Sequence, residues 1–422
     1  MRSGTWIVCG ILLMAITVRA QSQQVNPFPA TPWPDRIVLN VTQDPSTSLA
    51  VTWRTCDSVK TGLVEIMPAT ADPREVSKAV RYTAGTLPFQ YQDISVNYHS
   101  TVINNLQPQT LYMYRVGQGN YWSEWFQTKT AGKTPGEKFS FIYLGDPQNG
   151  LKTLWPRVIR DAYAKAPDAK LVMYAGDIVN RGLNDHEWGE IFYGGSFIHS
   201  TIPGMMSPGN HEHADNEAGV NELTSFWRPQ FTLPENGPAG LEETCYYSDI
   251  QGVRFISLNS QAIWFGGEMM QKEMDWLEGL LKNNPNRWTC VVFHHPVYSV
   301  KANRDNENLR VNFQPIFNKY RVDLVLQGHD HAYGRGMKKI PMPGKNEESG
   351  TMYVVSVSGS KMYEENKQEW MDKSGGNGQL YQIITVDGEK LSYKSYKATG
   401  ELFDAFELVK QKKGNNRLIE GK

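Results

Sequence analysis

The sequence predicts two folded units of different class in one chain: an all-β sandwich followed by a layered α/β domain with two mixed sheets flanked by helices. Three observations lead there. Short β-rich runs punctuated by turn residues continue to about residue 130. From Lys138 onward, apolar strands alternate with helix-period segments. At 422 residues the chain is longer than one hydrophobic core usually organises.

The first twenty residues carry Arg2, an apolar run from Trp6 to Val18, and Ala20 before polar Gln21. That is the pattern of a cleaved secretory signal, the run being shorter than the ~20 apolar residues of a spanning helix. Export to the periplasm, cell surface or medium is expected, with no stable membrane span after signal cleavage. Residues 21–36 include Pro27, Pro29, Pro32 and Pro34 and read as an extended linker. Residues 37–131 supply the sandwich. Its runs are Ile37 to Val41, Leu49 to Trp53, Gly62 to Ile66, Ser100 to Ile103, Thr110 to Val116 and Trp122 to Thr128, with Asp44-Pro45-Ser46 as the first turn.

Residues 138–410 form the second unit, with strands at Phe139 to Leu144, Leu171 to Ala175, Val253 to Leu258, Thr289 to Phe293 and Val322 to Leu326. Helices are predicted over Thr153 to Ala164 and Glu268 to Lys282. In the latter, Met270, Met274, Leu277 and Leu281 share one face and read as core. Strands return at Met352 to Val357, Leu380 to Val386 and Leu391 to Tyr396, the last two joined by the hairpin pair Asp387-Gly388. Tyr393, Tyr396, Phe403 and Phe406 read as sheet packing, and residues 411–422 as a polar tail.

Composition removes several functions. Lys plus Arg total 43 against 44 Asp plus Glu, so no basic surplus is present to bind nucleic acid. After signal cleavage three cysteines remain, Cys56, Cys245 and Cys290. They are too few for a disulfide scaffold, although one bridge between Cys245 and Cys290 is allowed. A phosphate-cradling glycine loop and a Gly-x-Ser-x-Gly elbow are both missing, which disfavours covalent serine chemistry.

What carries chemistry is the set of polar residues after the strands. Gly145-Asp146-Pro147-Gln148, Gly176-Asp177, Gly209-Asn210-His211-Glu212, His294-His295 and Gly328-His329-Asp330-His331 each follow a probable strand. Loops beyond strand ends are where α/β sheets bind ligands. Alone, each Gly-Asp reads more readily as a turn or cap, Gly209-Asn210-His211 reads either way and His329 with His331 favours a shared ligand, but five in order converge on one site. Asp, Asn, Gln and neutral His are donors for hard or borderline cations without thiolates. Seven donors exceed the needs of one structural zinc, and a shared Asp177 would bridge two ions about 3.5 Å apart. Adjacent His294 and His295 point to opposite faces, so one of them is expected to ligate.

The order Gly-Asp, Gly-Asp, Gly-Asn-His-Glu, Val-Val-Phe-His, Gly-His-x-His resembles the calcineurin-like metallophosphoesterases, and within them the purple acid phosphatases. Val51-Thr52-Trp53, the run from Leu106 to Gly117 and Trp122-Ser123 resemble the fibronectin-like domain that precedes the catalytic domain in that family. The resemblance implies that Asp146 and His331 bind one metal, that Asn210, His294 and His329 bind the other, and that Asp177 bridges them. Gln148 stands where relatives carry a further ligand to the first metal. His211, with Asn210, would meet substrate, and Glu212 would orient His211. The purple enzymes place an iron-binding tyrosine three residues after the bridging aspartate, where this chain has Asn180, so neither the colour nor an obligatory ferric ion is implied. Lys301, Asn303 and Arg304 occupy a stretch where plant enzymes have substrate-facing histidines, so contacts there do not carry over.

The resemblance and the donors together imply a secreted phosphatase using two divalent or trivalent ions drawn from Fe, Mn or Zn. It would hydrolyse phosphomonoesters of small molecules by attack of a metal-bound hydroxide, with His211 assisting the leaving group. Phosphodiester hydrolysis at the same site and a surface-binding protein with a vestigial metallo domain are the alternative readings.

Overall fold

A computed structural model describes residues 27–337 and 350–421, so the signal segment 1–20 and residues 21–26 of the linker lie outside the described residues. Both predicted units are present, and the N-terminal β-sandwich leads into an α/β layered half. Among the described residues no helix is long and apolar enough to cross a membrane.

The sandwich closes over its own core of Leu39, Val51, Trp53, Val64, Ile66, Tyr114 and Val116. The alternation of these residues along each strand buries one face per strand. Strand Val80–Tyr91, which the sequence reading left out, serves both sheets. Its first residues pair with Gly62–Pro68 and the remainder with Ile94–Ile103. Its exposed polar positions hide the period-2 signal.

The two units share one sheet. Strand Asp35–Asn40 pairs antiparallel with Leu49–Cys56 on one side and, through Asn40 and Gly204, parallel with Gly204–Ser207 of the α/β half on the other. Buried charges reinforce the seam. Arg36 lies 2.7 Å and Arg54 3.4 Å from the Asp185 carboxylate, and all three are buried. Tyr114 Oη donates to Ser200 O, and Asn40 Oδ1 accepts from Thr232 N. The expected linker is also docked, since Arg54 donates to Phe28 O and the Phe28 ring fills the space beside Gly189.

The α/β half has two mixed sheets face to face. One contains parallel Phe139–Leu144, Val172–Ala175 and Gly204–Ser207, extended antiparallel by Leu380–Asp387, Lys390–Lys397, Leu402–Val409 and Arg417–Glu420. The other contains parallel Val253–Ser257, Trp288–Val292, Leu324–Gln327 and Met352–Val355, with Tyr246–Ile250 and Tyr333–Gly336 antiparallel. Phe141, Phe255, Leu324 and Met352 meet between the sheets. Helices Trp155–Lys165 and Asp185–His199 flank the first sheet. The helix Gly267–Lys282 packs on the second through Leu277 and Leu281, with Met270 and Met274 partly buried beside them.

Three expectations need correction. Cys245 and Cys290 are both buried and free, so the permitted bridge does not form. Segment 411–422 is not simply a polar tail: Arg417–Glu420 is an edge strand, anchored where buried Arg335 donates to Glu420. Charged Arg417 and Glu420 at its two ends suit a sheet edge facing water. The docked 27–34 segment is the third.

Candidate metal centre

All the parallel strands release their loops at the same end, and five of those loops carry the predicted side chains. Asp146, Gln148, Asp177, Asn210, His211, His294, His329 and His331 are brought together there.

Left-handed backbone at this site falls mainly on the functional residues themselves. Asp146 (φ 40), Asp177 (φ 47), His329 (φ 72) and His331 (φ 46) all adopt it. Such strain in non-glycine residues persists only where the surroundings enforce it. The preceding glycines serve mostly to make room. A Cβ on Gly209 would collide with the Asp177 carboxylate, and one on Gly328 with the Asp146 carboxylate.

The donor atoms form two groups that meet at one oxygen. His294 Nε2 lies 3.0 Å from Asn210 Oδ1, 3.0 Å from His329 Nδ1 and 3.1 Å from Asp177 Oδ2. On the other side Gln148 Nε2 lies 2.7 Å from the same Asp177 Oδ2 and 3.4 Å from His331 Nε2, which is 3.8 Å from Asp146 Oδ1. A half-turn of the Gln148 amide presents Oε1 at that position. Separations near 3 Å are the edge length of an octahedron with bonds of about 2.1 Å, so these residues fit cations.

Tautomers fit as well. His294 Nδ1 donates to Ala175 O and His331 Nδ1 to Lys361 O, which leaves each Nε2 lone pair facing inward. Asp146 accepts from His329 N with both oxygens, pinning the last loop to the first.

The electrostatics are those of a crowded buried cluster. For Asp146, burial and the neighbouring Asp177 push its carboxyl well above the ordinary range despite His294. For Asp177, burial acts upward but is outweighed by His294, His211 and His329, which hold it well below. Burial acts downward on His294, yet Asp177 and Asp146 carry it up to about 9. His329 is depressed by burial and by the two histidines beside it, and His331 falls to about 4 chiefly through burial.

His211 is half-buried, with Nδ1 donating to Asn180 O at 2.5 Å and Nε2 facing Asp177 Oδ2 at 3.8 Å. The expectation that Glu212 orients His211 is therefore wrong. Buried Glu212 instead accepts from the backbone N–H groups of Asp177, Ile178, Val179 and Gly209. Burial and Asp177 raise its carboxyl to about 8. It staples two loops together, and the peptide of Asn180 aims the imidazole.

Sequence reasoning missed several supporting groups. His295 is tied to Ser260 Oγ, but its ring centroid is 4.4 Å from that of His329 and its nitrogen lies near those of His294 and His329. Tyr363 packs on His331 at 4.8 Å. Arg304 is drawn into a 2.5 Å ion pair with buried Asp330, between the two loop histidines. The carbonyls of Ala175, Asn180 and Lys361 carry no sequence signal, being backbone.

Residues 34–130 match the purple acid phosphatase N-terminal domain and residues 139–333 the calcineurin-like phosphoesterase family. Human acid phosphatase type 7 is 25% identical over 367 residues, spanning 79% of this chain and 76% of its own. The Fe(3+)-Zn(2+) purple acid phosphatase 12 of Arabidopsis thaliana is 26% identical over 279 residues, spanning 63% of this chain and 57% of its own. Among solved structures, purple acid phosphatase PPD1 of yellow lupin (Lupinus luteus) superposes with a TM-score of 0.72 at 20% identity. That superposition covers 92% of this chain and 76% of the lupin chain, a shared fold.

Proposed function

In a chain that belongs to the calcineurin-like metallophosphoesterases and carries the purple acid phosphatase N-terminal domain, we propose a dinuclear metal phosphatase that hydrolyses phosphomonoesters. The observation that carries the reading is the position of Asp177 Oδ2, the one oxygen in contact with both donor groups. Asp146, His331 and Gln148 would hold one cation, Asn210, His294 and His329 the other, and Asp177 both. When bound, two such ions supply Lewis acidity that polarises the phosphoryl group and acidifies a water.

The chain's own residues do the rest. Asn210 and His211 sit on one tight turn, Asn210–Glu212, so an ester at the centre meets both. With Nδ1 committed to Asn180 O, a protonated His211 keeps its second proton at Nε2 and donates it to the departing alkoxide. Glu212 holds the turn against the Asp177 loop, which fixes the distance between proton donor and phosphorus. Asn180 supplies no phenolate three residues after Asp177, so the loaded protein is expected to lack the charge-transfer colour of a tyrosinate bound from that position. The apolar run from Trp6 to Val18 supports export.

The test is hydrolysis of 4-nitrophenyl phosphate by the chelated protein and after adding back Mn, Zn or Fe, with bis(4-nitrophenyl) phosphate run in parallel. The monoester is expected to be favoured and the activity to vanish on chelation. Turnover insensitive to chelation and to Asp177→Ala overturns the reading. Preference for the bis-ester converts it to a phosphodiesterase.

A further inference from the structure

Resting on the phosphatase reading, we propose that the cavity beside the Gly209–His213 turn receives the leaving group of the substrate and selects aromatic leaving groups. The cavity measures about 700 Å³ and lies between the hairpin of His213–Asp215 with Asn221–Leu223 and the helix Ser260–Phe265. It shares a wall with the metal centre: His213. That side chain bonds Gly209 O through Nδ1 at 2.8 Å, and it feels the charges of Asp177 and His294. His213 is two residues beyond the proton donor His211. His213 thus joins the turn that carries His211 to this cavity, and a leaving group that reaches beyond His211 along the turn would enter it.

Its lining states what it takes. Val220 and Phe265 are 57% and 56% exposed, and Met269 is 38% exposed. Half-buried Leu223 and buried Leu241 complete the apolar lining behind them. Large apolar side chains left exposed at the mouth of a site mark a binding surface. A phenyl face beside a thioether suits an aromatic ring, which stacks on the first and meets sulfur at its edge. Of the charges on the wall, Arg228 and Glu242 face each other at 3.6 Å, which leaves the Glu222 carboxylate as the remaining charge and disfavours an anionic leaving group. The cavity near Lys301 and Arg304 measures only about 180 Å³.

The experiment uses the full chain loaded with metal and compares kcat/KM for 2-naphthyl phosphate and glycerol 2-phosphate. Reading the ratio across variants cancels the difference in leaving-group basicity. In Phe265→Ala and in Val220→Asp the naphthyl-to-glycerol ratio is expected to drop by about tenfold, the scale of losing part of an apolar pocket, and Phe265→Leu is expected to restore part of it. A ratio unchanged in all three, or both substrates falling together, overturns the proposal. Fluorescence titration with 2-naphthol reads the cavity without turnover, and binding weakened by Phe265→Ala is expected. Naphthol that binds the variant and the parent equally overturns the proposal too. Should the loaded parent cleave neither phosphate while Phe265-dependent naphthol binding persists, the phosphatase reading fails and the aromatic preference of the cavity stands.

Discussion

Two fully buried histidines, one in each half of the molecule, show what separates a packed polar residue from a reactive one. His99, in the sandwich, has Thr55 Oγ1 at 2.8 Å and Thr86 Oγ1 at 2.9 Å, one for each ring nitrogen, and stacks on Trp53. Burial alone depresses it to about 4, and it stays neutral. His294 is equally buried, but its Nε2 faces a carboxylate, an amide oxygen and a second imidazole within 3.1 Å. One nitrogen cannot satisfy three partners, and without metal the charge of Asp177 favours a proton there. Burial is common to both; competition among donors for one point is what marks the metal centre.

The strongest way to break this contrast is to remove the shared oxygen. Asp177→Asn is expected to cost at least about 10³-fold in kcat, with metal analysis showing at least one ion lost per chain. Next comes the seam between the halves. Asp185→Ala leaves buried Arg36 and Arg54 without that carboxylate and is expected to destabilise the protein by about 3 kcal/mol in urea unfolding. Activity per folded molecule should persist. His211→Asn is expected to lower kcat by about 10²-fold while metal content holds.

A pH series sharpens the comparison of the two histidines. His99 sits near 4 when folded and 6.5 when unfolded, so the unfolded chain takes up the extra proton. Its contribution is complete above pH 6.5 and is lost as pH drops toward 4. Metal-free His294 is raised to about 9, so its contribution is complete below pH 6.5 and is lost as pH rises through 9. Urea midpoints of the chelated protein should therefore fall on both sides, and metal should abolish the alkaline fall alone. Thr86→Val, which strips His99 of one partner, is the smallest effect, about 1 kcal/mol.

Much of this was legible because strand ends and ligand-type residues coincide. Apolar runs such as Phe139–Leu144 and Trp288–Val292 are buried on both faces and stand out by composition, and the polar residues that follow them have few structural reasons to recur. The helix Asp185–His199 was not legible. It is buried on several sides and carries Gly189, Gly194 and Gly195 where Phe28, Trp155 and His199 press close, so it has no clean apolar stripe. Gly204–Ser207 is too short and too rich in methionine to read as a strand. The aim of His211 was misread because an acidic neighbour in sequence, Glu212, is a more visible partner than a carbonyl thirty-one residues away.

The shared sheet also bears on how the chain acquires its shape during synthesis. Residues 35–129 leave the ribosome first, but the edge of Asp35–Asn40 and the guanidinium of Arg36 meet their last partners only once Asp185 and Gly204 have emerged. The nascent sandwich thus waits with an unsealed flank, open to strand-pairing with strangers. The growing polypeptide is most vulnerable to aggregation before its catalytic portion exists to cover that flank.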